Sequence, residues 1–468
     1  MSCIMVVTGQ AGTGKTTWLM RKANECAPGL LREPYQKVLV VTRMHGARRR
    51  LERLIQEGCP NIPSVIMTID SLALSILNRW RMALGHQKPI TAVSGSTDFA
   101  DSMFSLEADF DRILSEAGRL LGSPTVGKII GSTYPLILVD EFQDCHGPLL
   151  RFVQSLSSNS DMLLAADEFQ LLDTVIEGCP AMEWAKTISA NGAATLEELT
   201  FCHRTSSGAI LEAARCLREN VRSTTNTIPV VCCPNHAPVA WKILEKLVFG
   251  SSATRWSGTS ALICPSHDPV LQGVIDSCTS QLQKRGMHPI RWNKETTLAQ
   301  EQVEIMQNLG ITDAQDESDT EWSIPATIVD PLAIRVAHRV KHMAKLRGLK
   351  GIPTKLCVRQ VETLVHDRRA YLPSAALRTV TTVHGAKNRE FDNVFVLWAY
   401  KMPPSQDQQR KLLYNAITRS RKNCMVLVYG DTTRVENDPV LSLLGVPEPA
   451  FPAKKRARIE RRKARARS

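Results

Sequence analysis

Short, continuous apolar runs recur along the chain, separated by longer stretches in which apolar residues return every three or four positions. A first set comprises residues 3–8, VLVVT at 38–42, SVIMT at 64–68, LILVD at 136–140 and MLLAAD at 162–167. A second set comprises SALIC at 260–264, RTVTTVH at 378–384, NVFVLWA at 393–399 and CMVLVYG at 424–430. Runs that do not alternate with polar residues predict strands buried on both faces, and the helical stretches between them predict crossovers. The fold class expected is α/β, with two parallel-sheet domains and a boundary near 190–200.

Two segments break this rhythm and read as insertions. Residues 81–130 include polar, Gly- and Ser-rich stretches, and residues 294–375 begin acidic (DAQDESDTE at 313–321) and then turn helical and basic. The expected partition is 1–195 for the first domain, 196–445 for the second and 446–468 for a tail.

Composition sharpens this picture in three ways. At 468 residues the chain is too long for one ordinary core, and 43% hydrophobic with 22% charged residues suits a soluble protein. No apolar stretch approaches the length of a membrane span, and MSCIMVV lacks the basic residues of an export signal and reads as a first strand. The thirteen cysteines therefore read as reduced thiols in the cytoplasm, or the nucleus in a eukaryotic host. Cys232, Cys233 and His236, with Cys264 and His267, raise a zinc reading, but the second half of a ligand set is lacking and buried thiols are expected. The net charge is +12, and the run from Lys454 to Arg467 holds +8 of it, so the body is only mildly basic. That tail reads either as a polyanion-binding arm or as a solvated end.

The chemistry begins at TGQAGTGKTTWLM. Gly9, Gln10, Ala11, Gly12, Thr13, Gly14, Lys15 and Thr16 match G-x-x-x-x-G-K-[ST], and Thr17 follows, between a strand and a helix. In that context the glycines let backbone N–H groups curl around phosphate oxygens at a helix N-terminus. Lys15 is expected at the β- and γ-phosphates of ATP, and the Thr16 hydroxyl on Mg²⁺. LILVDEFQD supplies the partner: Asp140 is expected to hold Mg²⁺ and Glu141 to polarise the attacking water.

Further motifs carry a family resemblance. DEFQD, ADEFQ at 166–170, LTFCHRTSSGAIL at 199–211, TTVHGAKNREFDNVFVL at 381–397 and RKLLYNAITRSRK at 410–422 follow the phosphate loop in order. Together they resemble the UvrD/Rep/PcrA-type helicases of superfamily 1. The resemblance implies two RecA-like P-loop domains with parallel sheets, each carrying a short insertion, plus the basic tail. It implies that Gln170 senses the γ-phosphate, that Arg204 and Arg419 act as arginine fingers, and that Glu390 binds the ribose. It places Thr42, Arg43, Thr68, Thr382 and His384 toward the nucleic acid. Hydrolysis in a cleft between two domains would then ratchet a strand along.

Four departures from the family pattern matter. Only eight residues precede Gly9 and none is Gln, so the adenine-recognising segment is not seen and weaker discrimination of ATP from GTP is expected. The T-F-T-N-x-A segment reads Thr42-Arg43-Met44-His45-Gly46-Ala47. Asp173 and Val175 stand where an aromatic pair would stack on bases, leaving Arg43, Arg48, Arg49 and Arg50 as candidate phosphate contacts or a solvated face. Asn388 stands where the family has Gly, and is expected to adopt the same left-handed backbone.

The function expected is an ATP- and Mg²⁺-dependent DNA helicase or single-strand translocase, with 3′-to-5′ polarity implied by the resemblance alone. The rival is a non-unwinding, DNA-stimulated ATPase serving as regulatory subunit of a nuclease, replication or defence complex, favoured by the missing aromatics and short insertions. RNA is a third option. A P-loop kinase would give Gln170, Arg204 and Arg419 no reason to occur together. The partners expected are single-stranded or tailed DNA and a nuclease or replication protein, with the chain a monomer or part of a heteromeric complex and no membrane involved.

Overall fold

The computed structural model describes residues 3–43, 48–93, 98–101, 105–173, 176–225, 227–266, 269–294, 298–311, 321–325, 327–346, 348–371, 376–398, 405–430 and 432–450. The basic tail, Val175, His267 and most of the acidic run at 313–321 lie outside them, as do the side chains of Arg48 and Arg49.

The first sheet has six parallel strands: β1 (Ile4–Gly9), β2 (Val38–Thr42), β3 (Ser64–Thr68), β4 (Leu136–Val139), β5 (Asp161–Ala166) and β6 (Ala194–Leu199). Their order is β3-β2-β4-β5-β1-β6. β2 and β4 are buried at every position, which is why their sequences carry no alternation. Because β1 lies between β5 and β6, the loop after β1 opens beside the ends of both neighbours. Helix α1 (Lys15–Leu30) starts at that loop.

Residues 90–92, 100–101 and 106–108 form a small three-stranded sheet. The helices Phe110–Leu121 and Pro124–Thr133 are not separate from the first core: Ile113, Leu114, Ala117, Val126 and Ile130 are buried in it with Leu39, Val41 and Ile137.

In the second sheet the five long strands are β7 (Val230–Cys233), β8 (Ser260–Cys264), β9 (Arg378–Thr382), β10 (Phe391–Trp398) and β11 (Ser420–Tyr429). They run parallel in the order β9-β8-β10-β11-β7. Helix α2 (Gly208–Glu219) packs on this sheet through Ile210, Ala213, Ala214 and Leu217. Ala11 and Leu172 from the first sheet's loops are buried in the same cluster, so these loops are seated in the second core.

A second compact unit comprises residues 45–49 and 294–374. Its helices, Leu298–Asn308, α3 (Pro331–Leu346) and Thr354–Tyr371, enclose a core of Ile305, Leu309, Trp322, Val336, Val340, Val361 and Val365. The Trp322 indole N–H donates to Leu309 O at 2.8 Å, so the ring is both buried and satisfied. The polar side chains that α3 exposes are all basic: Arg335, His338, Arg339, Lys341, His342 and Lys345. Helix α4 (Gln406–Ile417) follows in the second sheet's layer. Among the described residues no helix is long and apolar enough to cross a membrane.

Candidate nucleotide site and nucleic-acid surfaces

Gly12 shows why this loop needs glycine. Its φ is +85°, and a Cβ there would come within 2.6 Å of Arg204 Cβ. The second sheet's segment lies directly on the loop at this point, and His203 N–H donates to Gly12 O at 2.8 Å. The Thr13 hydroxyl donates to Gln10 O at 2.9 Å and closes the turn. Beyond Gly14, the first-turn N–H groups of α1 have no intrahelical partner and face the space the loop encloses.

Lys15 Nζ occupies that space, donating to Gly9 O at 2.8 Å and Gln10 O at 2.9 Å. Burial lowers its pKa, against the pull of Asp167, Glu141 and Asp140. The Thr16 hydroxyl donates to Asp140 Oδ2 at 3.2 Å, which brings the two expected metal ligands together. Among the described residues no cation makes an ion pair with Asp140, and burial and then Glu141 raise its pKa from 3.8 to about 6. A hydroxyl and a desolvated carboxylate short of positive charge suit a hard divalent cation such as Mg²⁺.

This state of Asp140 has a consequence for stability. Its folded pKa lies above its unfolded value, so the native state holds the proton longer, and the favourable contribution present below pH 4 is lost as pH rises through about 6. Asp140→Asn is therefore expected to stabilise the nucleotide-free, metal-free protein by about 1–3 kcal/mol at pH 7.5. The gain should vanish near pH 4; urea melts across pH measure it, and an equal gain at both pH values would contradict this reading.

Glu141 has a left-handed backbone, φ 57°, which turns its carboxylate away from the strand axis. Burial alone would raise its pKa, but Lys387, Lys15 and Gln143 outweigh burial and the carboxylate stays ionised. Gln143 Nε2 donates to Glu141 Oε2 at 2.5 Å, while Gln143 Oε1 accepts from Asp167 N–H at 2.9 Å. One glutamine thus ties the end of β4 to the end of β5.

The second sheet supplies the cations. Arg419 is fully buried; its Nε donates to Asn415 O at 3.0 Å and its terminal nitrogen to Gln170 Oε1 at 3.3 Å. Burial and then Arg204 lower its pKa to about 10, still well above neutral. Gln170 Nε2 in turn donates to Asp167 Oδ2 at 2.8 Å, and Lys15 Nζ lies 3.8 Å from that oxygen. A continuous polar chain therefore runs Arg419, Gln170, Asp167, Lys15.

Arg204 donates to Glu390 Oε1 and to Thr418 O, both at 2.9 Å. Arg421 takes the other Glu390 oxygen at 2.8–2.9 Å. Burial would raise the Glu390 pKa, but Arg204 and Arg421 hold it at about 2. Both carboxylate oxygens of Glu390, the residue expected at the ribose, thus accept from arginines.

The residues expected at nucleic acid divide. Thr42 and Thr68 are neighbours in register, but both are buried, and the Thr68 hydroxyl caps the helix Ile69–Trp80 by accepting from Ser71 N–H at 3.1 Å. The Thr68 hydroxyl thus serves as the cap of that helix. Thr382 Oγ1 accepts from Gly385 N–H at 3.1 Å, and His384 is exposed. Arg43 donates to Asp144 O at 3.0 Å, while the charge of Arg50 acts to lower the pKa of both Asp140 and Glu390. His384 lines a cavity of ≈ 530 Å³ with Leu171, Leu172, Pro265 and Leu412, into which Asp173, Glu177 and Asp407 also project. Lys411 and Arg410 neutralise Asp407 at 2.9 and 2.8 Å.

Asp167, Gln143, Asp144, Lys387 and Tyr414 all lie within the motif segments but were assigned no role from sequence. Lys387 crosses between the sheets to Asp144 Oδ2 at 2.5 Å, and both groups are buried. Ala11 N–H donates to the Tyr414 hydroxyl at 2.9 Å, placing an α4 side chain on the phosphate loop. Arg218 lies in no motif segment and has no signal in the sequence. Among the described residues no cluster of His, Cys, Asp or Glu could hold a metal by itself, and Cys232, Cys233 and Cys264 are buried and form no disulfide.

Family comparison agrees with this arrangement. Residues 1–175 match an AAA domain model and residues 378–427 match the UvrD-like helicase C-terminal domain model. No curated protein sequence matches the chain. Similar solved structures include Arterivirus nonstructural protein 10 (helicase), at TM-score 0.32 and 12% identity over 94% of this chain and 62% of that one. Its complex with DNA gives TM-score 0.32 and 13% identity, over 94% and 63% of the two chains. The PRRSV helicase gives TM-score 0.31 and 12% identity, over 91% and 52%. The chain thus spans about three fifths of the length of the first two and about half of the third. The chain places a segment matching an AAA domain ahead of one matching the UvrD-like helicase C-terminal domain, with two parallel α/β sheets meeting at the phosphate loop.

Proposed function

We propose that the chain is an ATP-driven motor that moves along single-stranded DNA and has 3′-to-5′ polarity. The observation that carries this reading is the polar chain from Arg419 through Gln170 and Asp167 to Lys15, since it links the second sheet to the phosphate loop. A bound Mg²⁺ would be held by Thr16 and Asp140 and would neutralise phosphate charge. Lys15 leaves the Gly9 and Gln10 carbonyls to meet the β- and γ-phosphate oxygens. Glu141, ionised and held by Gln143, orients the attacking water and draws on its proton. Arg204 and Arg419 neutralise charge that develops on the transferring phosphoryl group. Gln170 contacts Arg419 and Asp167 together, so its bonds change when the γ-phosphate departs. The cleft then loosens, and a strand held across both sheets is advanced.

The cavity beside His384 suits bases better than phosphates, because apolar side chains and three carboxylates line it with a single lysine, Lys411. Phosphate contacts fall instead to basic surface such as the exposed face of α3. Replacing Arg335 and Arg339 with glutamate is expected to weaken tailed-duplex binding about tenfold or more at low salt. It should also flatten the slope of log affinity against log salt by about 2. Anisotropy titrations at several salt concentrations measure this, and an unchanged slope would remove α3 from the interface.

The second reading, a DNA-stimulated ATPase that does not unwind and serves a partner complex, is favoured by Asp173, whose carboxylate lies 3.2 Å from His146 Nε2 and offers no stacking ring. Steady-state ATPase with and without single-stranded DNA or RNA, followed by strand displacement on duplexes tailed at either end, separates the readings. Stimulation with displacement from a 3′ tail supports the motor, whereas stimulation without displacement supports the second reading. Absence of stimulation by either nucleic acid, with Lys15→Ala as the inactive control, sinks both.

A further inference from the structure

Asp167 is a carboxylate with no solvent exposure that serves two cations from two sheets. Lys15 Nζ approaches Oδ2 at 3.8 Å, and Arg218 donates to Oδ1 at 2.6 Å. Its other partners are neutral: Gln170 Nε2 at 2.8 Å, Phe169 N–H at 3.2 Å and the Tyr414 hydroxyl at 3.4 Å.

Arg218 is held by more than this ion pair. Its guanidinium lies over the rings of Phe169 and Tyr414, 5.4 and 5.5 Å from their centroids. Arg410 fixes the end of α2 by donating to Leu217 O at 2.9 Å and lies 5.6 Å from the Phe169 ring centroid. The arginine reaches Asp167 only while α2 lies against the loop that follows β5.

We propose that Arg218 is a positioning residue for Lys15: as the second counter-ion of Asp167, it frees the lysine to leave its resting bonds for the phosphates of a nucleoside triphosphate. The inference rests on the nucleotide reading of the loop. A buried carboxylate left with one cation holds that cation strongly, because the alternative is an uncompensated charge in a low-dielectric site. With Arg218 in place, Asp167 stays paired after Lys15 departs. Without it, Lys15 is the only cation in reach among the described residues, and each binding event must strip Asp167 of its last counter-ion. Because Arg218 comes from the second sheet's layer, the readiness of the phosphate lysine is coupled to docking of that layer.

The test compares Arg218→Gln, Arg218→Lys, Asp167→Asn and the double variant Arg218→Gln/Asp167→Asn in the full chain. The probe is a fluorescent ATP analogue, alongside KM and kcat with single-stranded DNA present. Arg218→Gln should raise Kd and KM about tenfold with a smaller change in kcat, and Arg218→Lys should stay within about threefold of the parent. Removing the carboxylate removes the need for a counter-ion, so the double variant should return to within about threefold of Asp167→Asn. Thermal melts run in parallel separate this from a packing role, which would lower stability in both Arg218→Gln backgrounds without selective rescue of Kd. Unchanged Kd in Arg218→Gln, or a double variant as weak as Arg218→Gln, overturns the proposal. Failure of the unmodified chain to bind the analogue overturns the nucleotide reading instead.

Discussion

Arg419→Lys is expected to lower nucleic-acid-stimulated ATP hydrolysis about 10³-fold, through kcat, while KM for ATP changes little. The arginine is buried, charged and aimed by two bonds, one to Asn415 O and one to Gln170 Oε1. A lysine keeps the charge but cannot hold both acceptors in the same plane, so it loses geometry rather than sign. Lysine is the more informative substitution, because alanine would also leave a cavity and unsatisfied buried acceptors, mixing loss of stability with loss of catalysis. Steady-state kinetics with circular dichroism melts measure both effects. A kcat within threefold of the parent would show that Arg419 only braces the interface.

Glu141→Gln should give the second large loss, about 10²–10⁴-fold in kcat, with nucleotide binding retained. The carboxylate is ionised because Lys387, Lys15 and Gln143 overcome its burial, and the left-handed backbone points it away from the strand. An amide preserves size but takes no proton. The substitution also places two amides, Gln143 and the new one, where a carboxylate accepted a 2.5 Å bond. Lys15→Ala offers the contrast: it should lose binding as well as turnover, since on the proposed reading Lys15 would engage the phosphates already in the ground state. Single-turnover hydrolysis beside equilibrium binding distinguishes the two, and wild-type-like turnover in Glu141→Gln would move the water-activating role elsewhere.

Much of the fold was legible where burial is two-sided. VLVVT, SVIMT and SALIC form strands with the bounds expected, because continuous apolar runs leave little choice of register or ends. ATLEEL at β6 was missed because it pairs only with β1, at the edge, and shows its glutamates to solvent. VVCC at β7 was obscured because its cysteines drew attention as ligands, whereas all four residues are buried in the sheet. Asn388, expected to take the left-handed backbone because it stands where the family has Gly, adopts φ 64°.

The site divides along the same line between local and long-range information. The phosphate loop, Asp140, Glu141, Gln170, Arg204 and Arg419 sit in ordered motifs, and the structure brings them together. Asp167 and Tyr414 lie in those motifs too, but their partners are distant in sequence, so neither could be recognised as a hub. Arg218 is in no motif, and its role depends on where α2 comes to rest. Thr68 carries a role that its motif position did not suggest: its hydroxyl caps its own helix, because a threonine at a helix start satisfies an otherwise unpaired N–H.

The most direct test of the central claim is ATP turnover by the purified chain, measured with and without single-stranded DNA in Mg²⁺ buffer. The account predicts low turnover alone, at least tenfold stimulation by the strand, and loss of that stimulation in Arg419→Lys. Turnover that ignores nucleic acid, or stimulation that survives in Arg419→Lys, would contradict it.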